Sequence, residues 1–440
     1  GQIIYFAAFG LFALFLLSTY LAAYFALYAI AARFILRGFP PLLSLWTLPA
    51  LWVGLDWLRG YVFTGFPWMD IGYALYKNTL LIQIADLAGH HAITFVVVFV
   101  NVCLYLILEK KRTFTCYAGL LLSSLLLLGS AGLYSSERLS EVQLKLHEKG
   151  GQKISLGIVQ GNIDQSLKWS ESQQQATVEN YSLLTKSLLA SDKPSMVIWP
   201  ETALPFYPPA NKQMQSLQGM VAEHDFALLT GAPWYEIIDY EAKKVQYFNS
   251  AFLLKADGSY GERYSKNHLV PFGEYVPLKK FLPFIAPLVE SVGDFSAGDI
   301  ERTIDWGVAK VGVLICFESV FPDLSRQWVL AGANVLVNLS NDAWYGWSSA
   351  PQQSLAMTVL RAVETRRSLA RSANTGISAF VSPAGSIVQR SDLFVPWAAV
   401  NEVVLWEEQT VWVRFGYLFG PLCMVIGCVA GGIAWLLRKG

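Results

Sequence analysis

Val311-Gly-Val-Leu-Ile-Cys316-Phe-Glu-Ser319 is an apolar, strand-like run that ends in a cysteine. Cys316 is the only cysteine in the one long water-soluble stretch of the chain. The other four, Cys103, Cys116, Cys423 and Cys428, lie in membrane-type segments, so Cys316 has no disulfide partner within its own domain. A lone thiol at the end of a strand reads either as a nucleophile or as a small buried hydrophobe, and its neighbours must decide.

Working outward from this run, short apolar segments recur between Ser135 and about Thr410. Strands are expected at Ile154 to Gln160, Met196 to Trp199, Ala227 to Thr230, Ala251 to Lys255, Val308 to Cys316, Asn334 to Leu339, Ile377 to Ser382 and Ala398 to Leu405. Helical patterns separate several of them, at Gln173 to Leu189, Lys212 to His224, Phe321 to Ala331 and Gln352 to Arg371. Ala256-Asp-Gly-Ser259 and Pro383-Ala-Gly-Ser386 read as hairpin turns. The alternation predicts an α/β sandwich with helices outside the sheets.

The rest of the chain is far more apolar. With 54% hydrophobic and 15% charged residues and a mean hydropathy of +0.38, the composition is that of a membrane protein with a soluble part. Formal net charge is zero, so bulk electrostatics offer nothing to nucleic acid. Five spans are expected: Ile3 to Ala32, Leu42 to Leu58 with its Asp56, Ala92 to Leu108, Phe114 to Tyr134 and Phe415 to Leu437. Arg33 and Arg37, then Lys110, Lys111 and Arg112, then Arg438 and Lys439 fall on one side with this count. That side is expected to be cytoplasmic, which puts the soluble stretch on the external face, the periplasm in a bacterium with an inner and an outer membrane. Gly427 and Gly431 form a G-x-x-x-G suited to close helix packing. The expected domains are 1–134 (helical, membrane), 135–410 (soluble) and 411–440 (a last span), with Gly1 read as an internal start after missing spans.

A cysteine nucleophile needs a base and an oxyanion partner. The five histidines, His90, His91, His147, His224 and His268, show no paired metal-ligand spacing, and no G-x-S-x-G elbow is present, so no metal and no cofactor are expected. Glu201 follows Val-Ile-Trp-Pro at a strand end, where it reads as a general base over a pocket or as a local backbone partner. Lys266, in Arg263-Tyr-Ser-Lys-Asn-His-Leu-Val-Pro-Phe-Gly-Glu-Tyr275, could aim a fixed charge at an oxyanion or sit solvated on the surface. Glu274, eight residues on, could orient it.

Taken together, Trp-Pro-Glu201, Lys266 with its Pro-Phe-Gly-Glu tail, and Ile-Cys316-Phe-Glu318 resemble, in order and spacing, the nitrilase superfamily. Gly65-Phe-Pro-Trp68, Val159-Gln-Gly-Asn-Ile163, Gln165-Ser-Leu-Lys-Trp169 and Asn341-Asp-Ala-Trp-Tyr-Gly346 extend the likeness to its membrane branch, the apolipoprotein N-acyltransferases. The resemblance implies a nitrilase-like αββα domain inserted between transmembrane helices and a catalytic triad of Glu201, Lys266 and Cys316. It implies acyl transfer through a Cys316 thioester, from a phospholipid such as phosphatidylethanolamine to the α-amine of a diacylglyceryl-cysteine apolipoprotein. Trp169, Glu274, Phe317 and Glu318 take supporting roles, with Trp169, Phe272 and Phe281 to Val292 as a lid and the Phe317 N–H as an oxyanion donor. A monomer in the membrane is expected. The family's usual Cys-Tyr-Glu is Cys316-Phe-Glu here, and its Gly-Pro-x-Gln-His is Ala350-Pro-Gln-Gln-Ser354. The other reading is a membrane-tethered nitrilase-type amidase hydrolysing a small amide.

Overall fold

The computed structural model describes residues 2–109, 112–148, 151–164, 170–276 and 294–437. The chain divides into two compact units: Gly1–Ala74 with Ala88–Ser136 and Phe415–Gly440, and Leu75–Leu87 with Glu137–Arg414.

The first unit is helical: α1 (Gln2–Gly38), α2 (Pro41–Arg59), α3 (His90–Leu108), the start of α4 (Phe114–His147), and a last helix, α9 (Phe419–Leu436). Four stretches, Gly10–Gly38, His90–Leu108, Phe114–His147 and Gly416–Leu436, are long and apolar enough to cross a membrane. The remaining expected span is α2, 19 residues long and less apolar, with ten of them buried among its neighbours. Ile35, Leu45, Leu48, Leu51, Phe99, Val102 and Ala434 form the core there. Close approach of α2 and α9 depends on glycine: a Cβ on Gly54 would lie 2.5 Å from Met424 Cα, and one on Gly427 would lie 2.7 Å from Leu51 Cα. Gly427 thus packs as the G-x-x-x-G predicts, whereas a Cβ on Gly431 would meet only Ala31, at 3.9 Å.

The second unit carries two six-stranded mixed sheets. The first runs β12-β1-β2-β3-β4-β5, with β1 (Lys153–Gln160), β2 (Met196–Ile198), β3 (Ala227–Asp239), β4 (Lys244–Leu254), β5 (Tyr260–Ser265) and β12 (Trp397–Val404). The second runs β11-β10-β9-β8-β7-β6, with β6 (Ile304–Trp306), β7 (Ala309–Ile315), β8 (Val335–Ser340), β9 (Ser368–Ala373), β10 (Ala379–Val381) and β11 (Ile387–Arg390). Helices α5 (Glu171–Ser191) and α6 (Gln213–His224) cover the first sheet through Tyr181, Leu188, Trp199, Leu217 and Val221. On the second, α7 (Pro322–Leu330) lays Trp328 over Gly312 of β7, and α8 (Ala350–Thr365) is buried along nearly its whole length. The Ser372 hydroxyl reaches the carbonyls of Val159 (3.3 Å) and Ile198 (3.2 Å), joining the sheets. This is the αββα sandwich.

Both hairpin turns are where the sequence puts them, between β4 and β5 and between β10 and β11. The helix expected from Gln352 to Arg371 is a correction: it stops at Thr365, and Ser368–Ala373 is strand β9. The stop is Arg366, a non-glycine cap with φ 52° and ψ 43°. Its guanidinium is held by Asp86 Oδ2 (2.8 Å), Gln83 Oε1 (2.6 Å) and the Pro383 carbonyl (2.9 Å). Those partners also explain why Leu75–Leu87, expected within the membrane domain, groups with the sandwich.

Candidate active site

In parallel strands, side chains just beyond the carboxyl ends gather along one edge. Glu201 follows β2, Lys266 follows β5, Cys316 follows β7 and Asn341 follows β8, and β5 runs the same way as β2 because two antiparallel steps separate it from β3. The fold thereby collects four candidate residues that are far apart in sequence.

Each is fixed locally. Trp199 is fully buried; its Nε1 donates to Thr185 Oγ1 at 2.9 Å and its ring stacks on Tyr181, anchoring the Trp-Pro-Glu turn. Glu201 is followed by Thr202 at φ 47°, and a Cβ on Gly231 of β3 would come within 2.8 Å of Glu201 Cα, so this turn requires glycine opposite it. Cys316 itself has φ 53°, a left-handed conformation that costs a non-glycine residue of order 1 kcal/mol and lifts the thiol out of the strand. Glu318 secures that bend. Its Oε2 accepts from Ile315 N–H at 2.7 Å, and its Oε1 accepts from Tyr264 O–H (2.7 Å), Asn267 N–H (2.7 Å) and His268 N–H (3.0 Å). One carboxyl therefore ties the Cys316 bend to the segment just after Lys266.

The charged groups interlock. Cys316 and Glu201 lie near enough for each to shift the other's titration, and the Asn341 backbone N–H favours the thiolate. Lys266, 1% exposed, lies 3.8 Å from Glu201 Oε1 and donates to both oxygens of Glu274, at 3.0 and 2.9 Å. Asn249, on β4, donates through Nδ2 to Oε1 of Glu201 and Oε1 of Glu274, at 2.8 Å each, while its carbonyl accepts from Lys266 N–H at 2.8 Å. Glu274 Oε2 also accepts from Val270 N–H at 2.8 Å.

This asymmetry splits the two carboxyls. Burial pushes Glu201 above the usual carboxylate range, with Glu274 adding to the rise and Lys266 opposing it. Glu274 is buried too, but Lys266, Asn249 and the Val270 N–H outweigh the burial and hold it below that range. Burial would lower Lys266; its two carboxylates and Cys316 more than reverse this, so it stays a cation. Burial, then the Glu201 charge, pushes the Cys316 thiol up to about 12. A thiol so placed needs a base, and Glu201 is the carboxyl whose environment suits proton transfer. Burial raises Glu318 to about 7 against its backbone donors.

The structure brings Glu201, Lys266, Glu274, Cys316 and Glu318 together. Phe317 is half-buried, edge-on to Phe321, and Phe272 is exposed with φ 59°. Trp169 and Phe281 to Val292 lie outside the described residues. Asn249 escaped the sequence reading, since a single asparagine in an apolar strand has no distinguishing pattern. So did Arg371, which is buried and donates to both oxygens of Asp342 in the Asn341 to Gly346 motif (3.1 and 2.8 Å) and to Asn338, fixing the loop that carries Asn341.

The chain matches two families, the carbon-nitrogen hydrolases over residues 155–396 and the apolipoprotein N-acyltransferase N-terminal domain over residues 2–103. It is 39% identical to the apolipoprotein N-acyltransferase of Geobacter metallireducens, covering 94% of this chain and 79% of that one. It is 32% identical to that of Haemophilus ducreyi, covering 94% and 80%. A solved structure, a carbon-nitrogen hydrolase from Helicobacter pylori G27, is similar at 16% identity and a TM-score of 0.43, over 61% of this chain and 92% of that one. On identities above 30% across most of both lengths, the chain belongs to the apolipoprotein N-acyltransferase family.

Proposed function

We propose that this chain N-acylates apolipoproteins in two steps through a thioester on Cys316. The observation that carries the reading is the gathering of Glu201, Lys266 and Cys316 at neighbouring strand ends, with Glu201 3.8 Å from the buried Lys266 cation and its charge acting on the Cys316 thiol. Glu201 takes the thiol proton and the sulfur attacks the ester carbonyl of a phospholipid. Negative charge then develops on the carbonyl oxygen, within reach of Lys266 Nζ and the Phe317 N–H. When the tetrahedral species collapses, the lysophospholipid alkoxide leaves with the proton returned from Glu201, and the acyl group stays on sulfur. The α-amine of the diacylglyceryl-cysteine attacks this thioester, Glu201 takes the amine proton, and the expelled thiolate recovers it.

Lipoprotein and phospholipid are both membrane substrates, which suits four apolar helices. Phosphatidylethanolamine as donor, a monomeric enzyme and a periplasm-facing site in the inner membrane belong to the same proposal. Arg33 and Arg37 near the C-terminal end of α1 and Arg112 just after α3 support that orientation. The departures at Phe317 and Ser354 leave the triad intact.

Intact mass spectrometry of the purified chain with phosphatidylethanolamine tests the reaction. The wild type should gain one acyl mass, lose it to a diacylglyceryl peptide, and show no gain in Cys316→Ala. An acyl adduct that survives Cys316→Ala, or rapid hydrolysis with no acceptor present, would overturn the assignment in favour of another nucleophile or an amidase. Tyr240→Cys, at a site 81% exposed on the β3–β4 hairpin, tests orientation: an impermeant maleimide should label it in spheroplasts beyond the parent chain.

A further inference from the structure

We propose a structural zinc(II) site in the helical unit, formed by Asp70, His90 and His91. Their ligand atoms lie within 4.8 Å of one another. Asp70 Oδ2 stands 2.8 Å from His90 Nε2 and 3.7 Å from His91 Nε2. Two ligands of one tetrahedral zinc, at bond lengths near 2.05 Å, are about 3.3 Å apart, so both Asp70–histidine pairs are within about half an ångström of the spacing needed, and a small rotation of the two rings brings in the third pair. A carboxylate with two imidazoles is a hard-to-borderline donor set that suits zinc.

The surroundings are arranged as a metal's outer partners are. Arg59 bonds Asp70 Oδ1, leaving Oδ2 turned to the histidines. Arg59 is itself shared with Asp56, 3.3 Å away, whose other oxygen accepts from Trp52 Nε1 at 3.0 Å. Arg59 thus holds Asp70 by one oxygen, and the other oxygen is the one presented beside the two imidazoles. Tyr73 stacks on the His90 ring with centroids 4.5 Å apart, and the two imidazole centroids are 4.0 Å apart. Gly89, at φ 70°, turns the chain immediately before the histidine pair. The 70–75 segment is seated closely on the start of α3: a Cβ on Gly72 would lie 2.6 Å from the His90 carbonyl, and Gly72 N–H donates to Thr94 Oγ1 at 3.1 Å. Adjacent histidines show no spaced-ligand pattern in the sequence, because the third ligand comes from a loop twenty residues earlier. The ion would fasten that loop to α3, with water as its fourth ligand.

The full-length chain, purified in detergent on a histidine-free tag and stripped with chelator, is the material for the test. After dialysis against zinc it should hold one equivalent by elemental analysis, zinc should raise Tm where magnesium does not, and cobalt(II) should give the visible spectrum of a tetrahedral site. His91→Gln, at a partly exposed position tolerant of change, should weaken binding about tenfold or more and abolish the Tm shift. Asp70→Asn should do the same. A folded wild type that neither retains zinc nor shifts in Tm, or a His91→Gln chain that binds as the wild type does, overturns the site. If Asp70→Asn fails to fold, His91→Gln decides alone.

Discussion

Asn249 Nδ2 stands 2.8 Å from Oε1 of Glu201, and the same nitrogen serves Oε1 of Glu274 at the same distance. One amide thus stabilises the charged form of both carboxyls. Replacing it with Ala removes a donor from Glu201, which burial already raises, so the acid limb of kcat/KM should move to higher pH. The loss of kcat/KM at neutral pH should be about tenfold to a hundredfold. A pH–rate profile with an unmoved acid limb would show that Asn249 does not tune the base.

The thiol and its base give a direct pH prediction. Cys316, pushed up to about 12, is neutral at physiological pH, and Glu201 must be deprotonated to act. Because Glu201 is raised, activity should climb with pH through a limb above the ordinary carboxylate range; Lys266 and Cys316 add no limb near neutrality, and a Glu318→Gln profile separates any contribution of Glu318, raised to about 7, from that of Glu201. In Glu201→Gln this limb should vanish and iodoacetamide modification of Cys316 should slow by about a hundredfold or more. Equal alkylation rates in the two proteins would remove Glu201 from the role of base.

Lys266 differs from a surface lysine in having two carboxylate neighbours and almost no exposure. Lys266→Met should lower the rate of Cys316 acylation by about a hundredfold to a thousandfold, the range for losing one oxyanion partner. Glu274→Gln should cost less, since Glu201 still faces the cation. Single-turnover mass spectrometry of the acyl adduct measures both, and an unchanged rate in Lys266→Met would exclude the oxyanion role.

Glu318 predicts a stability effect separable from chemistry. Glu318→Gln puts an amide N–H₂ against groups that are already donors, at a cost of about 1–3 kcal/mol, whereas Tyr264→Phe removes one hydrogen bond and should cost about 1 kcal/mol. Thermal unfolding in detergent should rank them in that order. A Tm for Glu318→Gln equal to the wild type's would mean that the carboxyl does not hold the Cys316 bend.

Arg366 supplies the last prediction. Removing the buried guanidinium strips Gln83 and the Pro383 carbonyl of a donor and leaves Asp86 with Arg138 alone, 2.7 Å away, so Arg366→Ala should destabilise by about 1–3 kcal/mol. The Asp86→Ala, Arg366→Ala double variant should be less damaged than the sum of the single changes, with a coupling of about 1–3 kcal/mol. Strict additivity would show that the pair does not act together.

Local pattern was enough for the membrane helices, the two hairpin turns, most sandwich strands and the order of Glu201, Lys266 and Cys316. Those features depend on hydrophobic period, turn residues and motifs a few positions long, all of which are written locally. The end of α8 was not legible, because Arg366 lacks the glycine signature of a helix stop and adopts φ 52° with partners nearly 300 positions earlier. Asn249, Arg371 and the Asp70–His90–His91 cluster were hidden for the same reason. What the chain alone determined was which residues could react. What only the tertiary structure decided was their ionisation: folding buries two chemically identical carboxyls and gives Lys266 a closer grip on one, raising Glu201 and lowering Glu274, the split on which the proposed base assignment rests.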